Sequence, residues 1–172
     1  GAGGTADWHC EHFKQLLGER VILLCPRGKR RNYRVLSEGY YYPDHFALAR
    51  EVHQSLVALA TRFPERIKQG HMLYAGYSQG ATMGILALAI MRLPFTRLLL
   101  VEGGFGGWTA NVVSHLRSVG LERTMFVCGT AHCHKGAVAS VGVITRAGGE
   151  ARHAYASGAG HTPDGTVGER TE

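Results

Sequence analysis

Leu73-Tyr74-Ala75-Gly76-Tyr77-Ser78-Gln79-Gly80-Ala81 runs from a short apolar segment into Gly-x-Ser-x-Gly, and straight on into the helix-forming run Thr82-Met83-Gly84-Ile85-Leu86-Ala87-Leu88-Ala89-Ile90-Met91. The order is strand, sharp turn, helix. Such a turn brings the two backbones so close that a Cβ has no room, which is the reason to expect glycine at 76 and 80, and it holds Ser78 strained with its hydroxyl exposed. Serine is also a favoured helix N-cap, and that is the bland reading of Ser78. A strand before the motif and a helix after it favour the nucleophile instead.

Upstream, Trp8, Phe13, Leu16 and Leu17 fall at helical spacing in a run that Gly18 ends, so a helix is expected over residues 6–17. Arg20-Val21-Ile22-Leu23-Leu24-Cys25-Pro26 is a continuous apolar run with a proline stop, as in a strand buried on both faces. Asp44 opens a second helix, whose core face is Phe46, Ala49, Val52, Leu56 and Leu59, and which lasts to about Arg62; Gly70 separates it from the nucleophile strand. Downstream come a strand over 96–102 ended by Gly103-Gly104, a helix over 108–119, a strand over 124–129, a helix from Lys135 to about Arg146 and a strand over 152–156. Strands alternating with helices at this spacing imply a parallel sheet with helices on both faces. The last strand leads into Gly158-Ala159-Gly160-His161 and a polar tail.

On the nucleophile turn and this order of elements, the chain resembles the α/β-hydrolases, of the esterase, lipase and dienelactone-hydrolase kind. The resemblance covers nearly all 172 residues in the order of elements, while its specific motifs occupy a few short stretches. It implies an α/β fold with a doubly wound parallel sheet. About five strands are present, in one partial domain over residues 1–172. Family domains begin with further strands and usually end in a helix, neither of which is encoded here, so a fragment is expected. The strand that would precede Gly1 would lie between those at Val21 and Leu73, and its loss would leave backbone donors and acceptors unpaired.

The chemistry the resemblance implies is hydrolysis of a carboxylic ester or related acyl bond, with no cofactor. Ser78 needs a base to take its proton, and His161 follows the last strand at the chain position of the family's histidine. One oxyanion donor is expected from the backbone of Gln79. The other would come from Ala2, because Gly1 looks like the glycine of the family's His-Gly turn. The third member departs from the pattern: where the family usually carries an aspartate, the loop Gly129-Thr130-Ala131-His132-Cys133-His134 offers His132, which brings no negative charge. Glu102, at the end of the strand after the nucleophile helix, is the alternative acid, since strand ends of that sense lie on the ligand side of such a sheet. Asp164, three residues past His161, would need an unusual loop to reach back. The competing reading is a non-catalytic or impaired hydrolase-like module without the acid.

Composition excludes several other classes. With 45% hydrophobic and 19% charged residues the chain is globular rather than disordered. The longest apolar run, residues 85–90, is too short to span a bilayer, and the glycine-rich start lacks the features of a signal peptide. The formal charge of +6 is concentrated in part at Arg27-Gly28-Lys29-Arg30-Arg31-Asn32-Tyr33-Arg34, without a stacking-aromatic motif, so a solvated loop is expected rather than nucleic-acid binding. His132, Cys133 and His134 with Cys128 match no zinc signature, and no metal is expected. Cys10, Cys25, Cys128 and Cys133 do not make a compact disulfide framework for a chain this long, so reduced thiols and a cytoplasmic setting are expected. The partner is then a small-molecule ester; the oligomeric state is not encoded legibly.

Overall fold

In the computed structural model, which describes residues 1–18, 21–30, 39–67 and 72–169, the elements follow in the order α1 (Ala6–Leu17), β1 (Lys29–Arg30), β2 (Tyr40–Tyr41), α2 (His45–Arg62), β3 (Met72–Tyr77), α3 (Gln79–Met91), β4 (Phe95–Val101), α4 (Ala110–Ser118), β5 (Arg123–Cys128), α5 (Ala131–Arg146), β6 (Glu150–Tyr155) and α6 (Thr166–Glu169). Side chains set the helix starts. The hydroxyls of Thr5, Thr109 and Thr130 accept from the N–H of Trp8, Val112 and Cys133, and the carboxylate of Asp44 accepts from Ala47 at 2.7 Å. Gly18, at φ +69°, stops α1 in a conformation costly for other residues.

Strands β3, β4, β5 and β6 form one sheet in that order, all parallel. Its two faces are read off β4. Leu98 and Leu100 pack with Ile85, Leu88, Trp108 and Phe126 on the face covered by α2 to α5, while Leu99 and Val101 pack with Phe13, Val127 and Val167 on the face covered by α1 and α6. Both faces are dry, which is why this strand is apolar without alternation. Burying a side chain such as Leu100 or Phe126, each 0% exposed, stabilises the fold by about 1.5–3 kcal/mol.

The apolar run at 21–25 forms no strand among the described residues; Val21 and Ile22 are exposed, and Leu23 packs against the α1 face. A strand exists only where a neighbour accepts its ladder, and here β3 pairs with β4 alone among the described residues. Among the described residues the sheet therefore has four of the five expected strands, and β1 pairs antiparallel with β2 in a small ribbon apart from it. Helix α5 starts at Ala131, not Lys135, because Thr130 caps it, so His132, Cys133 and His134 lie on a helix instead of a loop. A short α6 follows the His161 loop. Arg20, residues 31–34 of the basic run and Gly70 lie outside the described residues.

The cysteines are not free thiols. Cys10 pairs with Cys25, tying α1 to the 21–28 segment, and Cys128 pairs with Cys133 across the β5–α5 junction. That removes the ground for the reduced, cytoplasmic expectation. Among the described residues, no helix is long and apolar enough to cross a membrane.

Candidate active site

The turn between β3 and α3 is built by close approach. A Cβ on Gly76 would lie 2.8 Å from the backbone of Ala81, so only glycine lets the strand pass into the helix here. Gly80 meets no such limit, and a Cβ there would point into open space. Ser78 sits at φ +52° and ψ −113°, a strained conformation for a residue with a side chain. Its hydroxyl makes no cap bond to α3, which removes the N-cap reading. Ser78 N–H donates to Val101 C=O at 2.9 Å, fixing the turn to the end of β4.

Glu102 continues from that strand end at φ +51° and donates its own N–H to Val127 C=O at 2.9 Å. The turn aims its carboxylate across the C-terminal edge of the sheet, where it is fully buried. A buried charge is costly unless paired and hydrogen-bonded. Here one oxygen accepts from the N–H groups of Gly129 and Thr130, and the other from the Thr130 hydroxyl at 2.9 Å and His161 Nδ1 at 3.1 Å. The Cys128–Cys133 bond encloses the Gly129-Thr130 stretch that supplies these donors.

His161 completes the line, with Nε2 2.9 Å from Ser78 Oγ. The loop that carries it is held twice, by Gly160 N–H on Gly129 C=O and by the Tyr77 hydroxyl, which donates to the His161 carbonyl at 2.8 Å. Burial pushes the Tyr77 phenol up, with the carboxylates of Glu102 and Asp164 adding to it, so the group stays protonated and keeps donating.

Of the expected site residues, Ser78, Glu102 and His161 are brought together by these bonds. His132 is not on the line: it lies on the wall of the adjoining pocket with its ring edge-on to Phe105, centroids 5.2 Å apart. Asp164 turns to His12 of α1 at 3.2 Å. Gln79 opens α3 directly after Ser78. Ala2 is exposed, and a Cβ on its neighbour Gly1 would stand 3.5 Å from Ser78 Cβ, so the chain start lies against the turn.

Sequence reasoning missed Thr130, Tyr77 and the side chain of Gln79. A threonine one residue before a helix was the only signal among them.

Cys128, Cys133, His132 and His134 do not converge as a zinc set. The two sulfurs are bonded to each other, and the His134 ring stacks on Tyr155 at 4.3 Å. Glu102 lies within 4.8 Å of both sulfurs, but metal ligation requires thiolates and this pair is oxidised.

The pocket beside Ser78 holds about 380 Å³, within the range of small-molecule sites. Met83 and Phe105 give it an apolar side, and Thr82, Thr130 and His132 a polar one. Taken together, the site offers an oriented hydroxyl, a ring nitrogen to take its proton and a buried counter-charge, all at the mouth of a pocket.

No family model matches the chain, and no curated protein matches its sequence. In structure it is similar to SOBER1 of Arabidopsis thaliana, with TM-score 0.65 and 13% identity, covering 94% of this chain and 87% of that one. A crystal structure of a single-substitution variant of SOBER1 gives TM-score 0.63 and 14% identity over the same shares. At this identity the likeness carries the fold: the chain has the α/β-hydrolase fold.

Proposed function

We propose that the chain is a serine hydrolase that cleaves a carboxylic ester or a related acyl bond of a small molecule. One observation carries the reading: Ser78, His161 and Glu102 come from three separate turns and form a single hydrogen-bonded line that ends on a buried carboxylate. Fold alone would not support it, because one fold serves many chemistries.

As Ser78 Oγ attacks the acyl carbonyl, its proton passes to His161 Nε2, and Glu102 stabilises the imidazolium through Nδ1. The tetrahedral oxyanion accepts from the backbone N–H groups of Gln79 and Ala2. His161 returns the proton to the leaving group, and the acyl-enzyme remains. Water, deprotonated by the same ring, then attacks the acyl carbon, and Ser78 leaves with its proton restored. The apolar wall at Met83 and Phe105 suits a hydrocarbon part of the substrate.

The competing reading, a module without turnover, drew its weight from the missing acid after β5. Glu102 offers a carboxylate from β4 instead. Hydrolysis of a p-nitrophenyl ester separates the two. Ser78→Ala is expected to lose about six orders of magnitude in kcat and Glu102→Gln about four, as in serine proteases stripped of the nucleophile or of the triad acid. A folded wild-type protein with no hydrolysis above background would favour the inactive module. Wild-type turnover in Glu102→Gln would remove Glu102 from the mechanism.

A further inference from the structure

We infer that the side chain of Gln79 is a positioning group that sets the distance between Ser78 and the chain segment bearing the second oxyanion donor. The role rests on the hydrolase reading; the clamp itself does not. At the first position of a helix, a glutamine side chain has no intrahelical duty and would normally be solvated. Here its amide oxygen accepts from Tyr42 N–H at 3.0 Å, and its amide nitrogen donates to Tyr42 C=O at 3.1 Å. These are the two bonds that an adjacent β-strand would make.

The restraint is passed on from Tyr42. Two residues earlier, Tyr40 C=O accepts from Gly3 N–H at 2.9 Å, and Tyr40 N–H donates to Gly4 C=O at 3.0 Å. The approach is close enough that a Cβ on Gly39 would collide with the backbone of Gly3. The outer side of Tyr40 and Tyr41 is pinned by β1, and the turn before β1 is held by Glu51 of α2, which accepts from the N–H groups of Arg27 and Gly28.

The path therefore closes on itself. It leaves the nucleophile turn at Gln79, runs through Tyr42 and Tyr40 to Gly3, and returns at Gly1, where an added Cβ would stand 2.9 Å from the Tyr77 ring and 3.5 Å from Ser78 Cβ. Oxyanion donors act only at a set distance from the developing charge, so a side chain that fixes the span between the two halves of the hole acts on the transition state more than on the bound substrate. The Gln79 backbone N–H is itself one of those halves. One residue thus supplies a donor and, through its side chain, holds the other donor in place.

The test uses Gln79→Met, which keeps the shape of the side chain and removes both bonds, and Gly39→Ala, which pushes on Gly3 from the far end of the path. Hydrolysis of p-nitrophenyl acetate and amide hydrogen exchange are measured on both. The expected result for Gln79→Met is a loss of about a hundredfold in kcat, the scale of one lost oxyanion donor, with KM changed by less than about threefold. Exchange should rise in segments 1–5 and 39–43 and stay unchanged in β3 to β5. Gly39→Ala should show the same split, and the double variant should lose less than the product of the two, as coupled sites do. Wild-type kcat in Gln79→Met, a change in KM alone, or a lost rate with unaltered exchange in both segments would overturn the inference. Should the wild-type protein prove inactive, the hydrolase reading falls while exchange still decides the clamp: a rise in both segments upholds it and no rise removes it.

Discussion

The two glycines of the nucleophile motif illustrate how far single residues can be read. Sequence pattern treats Gly76 and Gly80 alike, but only at Gly76 does a Cβ meet backbone, 2.8 Å from Ala81. Gly76→Ala must push β3 from α3 in a part of the core that cannot give, at a cost of roughly 1–3 kcal/mol. Gly80→Ala fills open space inside a helix, where alanine is favoured over glycine by up to about 1 kcal/mol. Thermal melts of the two variants should therefore move in opposite directions, and equal losses would contradict the close-approach argument. The same limit applied to the candidate acid. The sequence put His132 and Glu102 side by side as candidates, because a one-dimensional pattern says which strand end a residue follows but not how far its turn carries it. Only the left-handed turn at Glu102 and the donors at Gly129 and Thr130 decide which side chain meets His161.

At the scale of elements, α1 is held to the site partly through histidines. It lies against the site through His9, whose ring faces the Gly1 amino group and Tyr77, and through His12, which meets Asp164 of the His161 loop. Burial, with the Gly1 amino group and His12 adding to it, lowers the pKa of His9 to about 4. An unfolded imidazole takes its proton near about 6.5. Between those values the unfolded chain binds more protons than the folded one, so the contribution is full above about 6.5 and is lost as pH falls to about 4. Emission from Trp8, which stacks on His12, should thus report weaker docking of α1 as pH falls from 7 to about 4. His9→Phe, which cannot take a proton, should flatten that dependence; an unchanged profile would contradict the assignment. Helices were legible to within a few residues because caps and periodicity are local. The starts of α4 and α5 shifted with Thr109 and Thr130, which cap them. The run at 21–25 was misread for the opposite reason: an apolar stretch advertises burial, but pairing belongs to the neighbour, and β3 offers it none among the described residues.

At the scale of the molecule, the order of strands and helices was enough to give a parallel sheet covered on both faces, because each connection between parallel strands has one handedness and nearly one solution. The cysteine pairs were not legible, since spacing alone cannot tell which thiols the fold brings within bonding distance. The proposed function depends on that sheet delivering three turns to one rim, where the Ser78 hydroxyl stands 2.9 Å from His161 Nε2. Peptide mapping after reaction with a fluorophosphonate measures this directly, since the probe modifies a serine only where a base and an oxyanion site assist. One adduct is expected, on the peptide containing Ser78, absent in Ser78→Ala and formed far more slowly in Glu102→Gln. A folded protein that takes up no probe, or takes it up elsewhere, would contradict it.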